Sequence, residues 1–84
     1  MLSTLILYRS LTQTQKASAT LGQKGIKNRI VRTPGTIAGD GCSYCIRMEQ
    51  RDLFRALEYL KRVDMSPNRL YVTAGNGNFE EVHL

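Results

Sequence analysis

The sequence has few residues that bind metal ions, and this scarcity limits the chemistry open to one chain. Only one histidine and two cysteines occur among its 84 residues. A zinc ion in a protein takes four ligands, or three and a water molecule. Cys42 and Cys45 supply half of such a set and His83 lies in the final residues, so a second chain would have to complete it. We therefore expect no metal and no other cofactor.

Long apolar runs are also lacking. The apolar residues 2–8 are far fewer than the ~20 of a membrane-spanning helix. No basic residues precede them and no small-residue cleavage site follows them, so we do not expect them to be a signal peptide. We therefore expect no membrane association and a cytoplasmic location. Because cytoplasmic thiols are kept reduced, two cysteines at this spacing favour metal or redox chemistry over a structural disulfide.

Acidic residues are scarcer than basic ones. The chain has 12 Lys and Arg against 7 Asp and Glu, which gives a net charge of +5. This surplus indicates an anionic partner, or it serves only solubility. With 42% hydrophobic and 23% charged residues the chain has the composition of a globular protein. We predict one domain over residues 1–74 and a loose C-terminal tail over residues 75–84.

The hydropathy pattern predicts the element order β-α-β-β-α-β. Strands are expected in LSTLILYR, IKNRIVRTP, CSYCIRMEQ and RLYVTA, helices over residues 12–24 and 51–63, and a loop over residues 35–41. This order is typical of the α+β, ferredoxin-like two-layer sandwich. We expect a four-stranded antiparallel sheet with two helices on one face and the other face open.

The ends and inner faces of the two helices are visible in the sequence. Ser10 offers an N-cap to the first helix, and Gly25 offers a C′ stop. Ala17 and Leu21 fall on its inner face. The second helix has the clearer apolar stripe, with Leu57 at its centre.

The predicted topology gives Cys42 a defined neighbourhood. Strand 1 should lie antiparallel beside strand 3, so Arg9 and Ser10 should lie near Cys42. The start of the first helix carries a partial positive charge. Together with Arg9 and Arg32, it would favour a thiolate and lower the pKa of a cysteine from about 8.5 towards 7. The same setting could instead bind an anion.

The spacing of the two cysteines limits how they can react together. If residues 42–45 were extended, the two Cα atoms would be ~10 Å apart, whereas a disulfide needs less than about 7 Å. A Cys42–Cys45 disulfide therefore needs a turn between them. We predict that Cys42 is the nucleophile and that Cys45 packs inside the strand. A resolving role for Cys45, or two inert thiols, are the alternatives.

Three basic residues share the polar phase of the second and third strands. Lys27, Arg29 and Arg47 would form a patch on the open face, which could bind an acidic partner or nucleic acid, or simply be solvated. An RNA-binding sheet needs aromatic side chains to stack on bases. Tyr8 and Tyr71 could supply them, but the sequence contains no RNP-like aromatic cluster, so nucleic acid is the less favoured partner.

Several segments of the chain resemble one protein family. YRSLTQTQKA, GIKNRIVRTPGTI, GCSYCIRM and LYV resemble the putative Se/S carrier protein-like family over residues 5–72. The Thr33-Pro34 and Gly41-Cys42 pairs carry most of the resemblance. The family's cysteine falls on Cys42, and this chain has Ser43 where many members have glycine.

This resemblance implies a carrier rather than a stand-alone enzyme. The Cys42 thiolate would take sulfur or selenium from a donor enzyme and pass it to an acceptor protein. A binding module for anions or nucleic acid, a dithiol redox protein, and a structural or regulatory partner protein are the alternatives. Exposed strand edges also leave a homodimer open.

Overall fold

The computed structural model of the chain describes residues 2–38, 43–73 and 78–82. Five strands, two longer helices and two short helical turns follow one another in these ranges. The elements are β1 (Ser3–Leu7), α1 (Leu11–Gln23), β2 (Asn28–Arg32), α2 (Gly35–Ala38), β3 (Tyr44–Glu49), a 3-10 turn (Gln50–Asp52), α3 (Leu53–Arg62), β4 (Arg69–Thr73) and β5 (Phe79–Glu81).

All five strands form one antiparallel sheet in the order β2-β3-β1-β4-β5. β1 lies at the centre, with its Ile6 opposite Ile46 of β3 on one side and Leu70 of β4 on the other. The predicted α+β class and the β1–β3 pairing are confirmed. The strand order is compatible with a ferredoxin-like arrangement.

The predicted count of four strands is wrong, because β5 adds to the edge of the sheet beside β4. Val72 lies opposite Glu80, and the backbone N–H of Val82 donates to the carbonyl of Leu70 at 2.7 Å. β5 is three residues long and two of them are glutamates, so it has no alternating apolar pattern. Its formation depends on pairing with β4, and the local hydropathy pattern does not indicate that pairing.

Helices α1 and α3 pack on the same face of the sheet, as predicted. Ala17 and Leu21 of α1 and Ala56 and Leu60 of α3 are each 0% exposed. The sheet contributes Ile6, Ile46, Met48 and Leu70 to the same core. This layer buries the helix-facing side of β1, β3 and β4.

The ends of the helices follow local rules. The Oγ of Ser10 accepts the backbone N–H of Gln13 at 3.2 Å, so the predicted N-cap is confirmed. Gly25 follows α1 with φ = 76°, a conformation that favours glycine. The helix expected over residues 51–63 begins instead with the 3-10 turn. Asp64 follows α3 with φ = 60°, which aspartate tolerates better than most residues.

The face opposite the helices is not open, which corrects a prediction. The side chains buried there, at most 9% exposed, are Leu5, Leu7, Ile37, Cys45 and Tyr71. The expected loop over residues 35–41 begins with α2, whose Ile37 N–H donates to the carbonyl of Pro34 at 2.9 Å. Ile37 is a lone large apolar residue in that stretch, so no periodicity marks its role in the core.

Candidate functional site at one end of the sheet

One end of the sheet brings together the end of β1, the start of β3 and the start of α1. Because β1 and β3 are antiparallel, with Ile6 opposite Ile46, the last residues of β1 approach the first residues of β3. Ser10 follows β1 closely and begins α1. The structure therefore places the end of β1, the start of β3 and the start of α1 at the same end of the sheet, as the predicted topology required.

Ser10 fixes the start of α1 at this end. Its backbone is extended (φ −140°, ψ 158°), and its carbonyl accepts the N–H of Thr14 at 3.1 Å and the hydroxyl of Thr14 at 2.9 Å. The start of a helix carries a partial positive charge. The first turn of α1 contains no acidic residue to offset this charge.

Arg9 is exposed beside this helix start, but its hydrogen bond leads away from β3. Its Nε donates to the Oδ1 of Asn68 at 3.4 Å, and the N–H of Asn68 donates to the carbonyl of Leu7 at 2.8 Å. Asn68 precedes β4, which pairs with the other side of β1. A long hydrogen bond in solvent restrains the guanidinium only weakly. Local sequence patterns do not indicate this contact, because Arg9 and Asn68 are distant in the chain.

Arg32 lies at the neighbouring end of β2. It is paired with Tyr44, the first residue of β3, and its guanidinium carbon is 5.9 Å from the centre of the Tyr44 ring. This distance permits a cation–π contact. The N–H of Thr33 donates to the carbonyl of Ser43 at 2.8 Å, which fixes Ser43 beside the end of β2.

The structure describes one of the two cysteines. Cys42 lies outside the described residues, so its role as the carrier nucleophile stays a prediction. Cys45 lies in β3 opposite Val31 and is 0% exposed, in an apolar cluster with Leu7 and Ile37. A thiol buried in this way is shielded from another protein, so reaction at Cys45 would require β3 or α2 to move.

The structure brings the three predicted partner-binding residues together. Lys27, Arg29 and Arg47 line one groove of about 250 Å³, which Asn28 and Met48 also line. Arg29 lies directly opposite Arg47, whose Nε and Nη2 each donate to the Oγ of Ser3 at 3.3 Å. Arg32 is three residues further along β2, about 10 Å away, so this groove is separate from the end of the sheet described above.

The two tyrosines considered for base stacking are not available for it. Tyr8 is 5% exposed and Tyr71 is 9% exposed, which corrects the expectation that either could stack on a base. The hydroxyl of Tyr8 donates to the carbonyl of Met65 at 2.6 Å. Burial raises the pKa of the Tyr8 phenol well above its ordinary value.

Metal-binding and membrane-spanning features can be assessed over the described ranges. In residues 2–38, 43–73 and 78–82, no three His, Cys, Asp or Glu side chains lie close enough to hold a metal ion. No helix in those same ranges combines the length and the apolar character needed to cross a membrane.

The chain matches a described protein family over most of its length. No curated protein and no solved structure matches it. The family model described as putative Se/S carrier protein-like matches residues 3–72. Since these residues are more than half of the 84 in the sequence, the chain belongs to the putative Se/S carrier protein-like family.

Proposed function

We propose that the protein carries sulfur or selenium on Cys42 and passes it from a donor enzyme to an acceptor protein in the cytoplasm. The observation that supports this most is the family match over residues 3–72, because the family is named for this role. The protein acts as a carrier between enzymes rather than as a stand-alone enzyme.

The described residues around the start of β3 suit a thiolate at the preceding position in the chain. Ser43 is fixed to β2, and the start of α1 at Ser10 offers its partial positive charge to this end of the sheet. Arg9 and Arg32 add two exposed cations there. In the proposal these groups favour the anionic form of Cys42, which is the form that attacks sulfur.

The transfer consists of two displacements at sulfur. The Cys42 thiolate attacks the outer sulfur of a donor persulfide, R–S–SH, forming Cys42–S–SH and releasing the donor thiolate R–S⁻. With a donor R–S–SeH the product is Cys42–S–SeH. An acceptor thiolate then attacks the outer atom, and the Cys42 thiolate is released. No net oxidation occurs, so no cofactor is needed.

The main alternative to the carrier function is a dithiol redox function, which depends on Cys45. If its thiolate attacked the inner sulfur of Cys42–S–SH, the products would be a Cys42–Cys45 disulfide and HS⁻. The protein would then be a dithiol redox protein with Cys45 as the resolving thiol. The burial of Cys45 at 0% exposure argues for the single-thiol carrier, because the resolving step requires Cys45 to be reached.

Mass spectrometry after brief exposure to a small persulfide donor tests the proposal. We expect the wild type and Cys45→Ala to gain one sulfur atom and Cys42→Ser to gain none. Alanine is the better replacement for Cys45, because serine would bury a hydroxyl in an apolar cluster. Equal loading of both variants, or a wild type that only closes a disulfide, would contradict the carrier.

A further inference from the structure

The groove between β2 and β3 concentrates positive charge on one rim of the sheet. Lys27, Arg29 and Arg47 line it together with Ser3, and all three basic side chains are exposed. Glu49 also lines the groove, but its carboxylate is paired with Arg51. The groove therefore carries a surplus of positive charge.

The pairing of Arg29 with Arg47 costs stability rather than adding to it. Like charges directly opposite each other on neighbouring strands are destabilising. Within the described ranges, no ion pair joins either arginine or Lys27 to a carboxylate. Packing gives no reason for this arrangement, because all three side chains are exposed. An anion bound between the arginines would remove the repulsion.

The hydroxyl of Ser3 adds a fourth donor to the groove. Its Oγ accepts two N–H groups from Arg47, each at 3.3 Å. Since the oxygen already acts as the acceptor in these contacts, the hydroxyl proton remains able to point at a ligand. The backbone N–H of Ser3 is held by the Oγ1 of Thr73 at 3.1 Å, which fixes Ser3 beside the groove.

We propose that this groove binds the phosphate group of a small phosphorylated compound. A phosphate group carries about −1.5 to −2 charges at neutral pH and offers three strong acceptor oxygens, and guanidinium groups bind these oxygens in pairs. Arg29 and Arg47 hold the phosphate group, Lys27 adds charge, and Ser3 donates its hydroxyl. The proposal does not depend on the thiol chemistry of Cys42.

The size and lining of the groove select among anionic ligands. At about 250 Å³ the groove is smaller than the ~300–1,000 Å³ typical of sites that enclose a drug-sized ligand. It therefore fits the charged end of a compound rather than a whole cofactor. A single-stranded nucleic acid would also need aromatic side chains beside the groove to stack on its bases, and none of the described residues that line the groove is aromatic.

Titration with named probes tests the site. Inorganic phosphate and phenyl phosphate are added to ¹⁵N-labelled protein, with chloride at matched ionic strength as the control. We expect saturable shifts of the Nε–H signals of Arg29 and Arg47 with both phosphates and none with chloride. Arg29→Gln and Arg47→Gln should each raise the Kd for phosphate about tenfold. Lys16→Gln, which removes one exposed charge on α1, should leave the Kd unchanged.

Thermal unfolding gives an independent readout. A ligand that binds only the folded state raises its stability, so phosphate at one fixed concentration should raise the Tm of the wild type and of Lys16→Gln equally, and that of Arg29→Gln by less. Equal shifts with chloride, or equal losses of affinity in Lys16→Gln and Arg29→Gln, would overturn the site. The protein could also bind a single-stranded oligonucleotide more tightly than phenyl phosphate. If Arg47→Gln abolished that binding, the result would overturn the phosphate site in favour of a nucleic-acid site.

Discussion

Thr4 in the central strand buries a hydroxyl group for which the described part of the chain offers no hydrogen-bond partner. The side chain is 0% exposed and lies on the helix-facing side of β1, opposite Met48 and Val72. We expect Thr4→Val to stabilise the protein. Valine has the same branched shape and replaces the hydroxyl with a methyl group, so the change adds no strain to the strand.

The size of the gain follows from two contributions of the same sign. An unsatisfied buried polar group costs about 1–3 kcal/mol, and a buried methyl group contributes about 0.8 kcal/mol. Since part of the first contribution is lost to local relaxation, we expect the free energy of unfolding to rise by about 1–3 kcal/mol. For a domain of this size each kcal/mol raises the Tm by about 4–8 °C.

Thr14 offers a matched control for this experiment. It is also 0% exposed, but its hydroxyl donates to the carbonyl of Ser10 at 2.9 Å. Thr14→Val should therefore lower the free energy of unfolding by about 0.5–1.5 kcal/mol. Urea unfolding of both variants, with unchanged m-values, measures the difference. If Thr4→Val is as destabilising as Thr14→Val, the hydroxyl of Thr4 has a partner in solution and the reasoning fails.

Three further variants test the core and its edge. Leu60→Ala should lower the free energy of unfolding by about 2–5 kcal/mol. Leu57→Ala should lower it by clearly less, because Leu57 is only partly buried whereas Leu60 is fully buried. Equal losses for the two variants in urea unfolding would contradict this description of the core. Tyr8→Phe should lose about 1–2 kcal/mol at neutral pH with its bond to the Met65 carbonyl. Because the folded-state pKa of Tyr8 is raised, wild-type stability is full below pH ~10 and falls above it. Tyr8→Phe should lose less of its stability over that alkaline range.

Local sequence signals predicted the parts of the fold that depend on neighbouring residues. Ser10 caps α1 and Gly25 ends it, because capping and left-handed backbone are properties of one or two residues. The apolar spacing in α3 predicted its buried side, although Ala56 and Leu60 lie deeper than Leu57. The pairing of β1 with β3 followed from the order of the elements and the handedness of their connections.

The features that the sequence did not predict depend on partners elsewhere in the chain. β5 is a strand only because β4 lies beside it. Ile37 is buried because it packs on the face of the sheet that bears Leu7 and Cys45. Asn68 meets Arg9 through the pairing of β4 with β1. Each of these contacts joins segments whose local patterns are independent, so periodicity alone could not report them.

The burial of the second face explains how the candidate functional residues are distributed. Leu5, Leu7 and Cys45 in the middle of that face are buried, each at most 3% exposed. Exposed charge is left at the groove around Arg29 and at the end of the sheet near Ser10, about 10 Å or more apart along the strands. The same packing shields the Cys45 thiol from solvent.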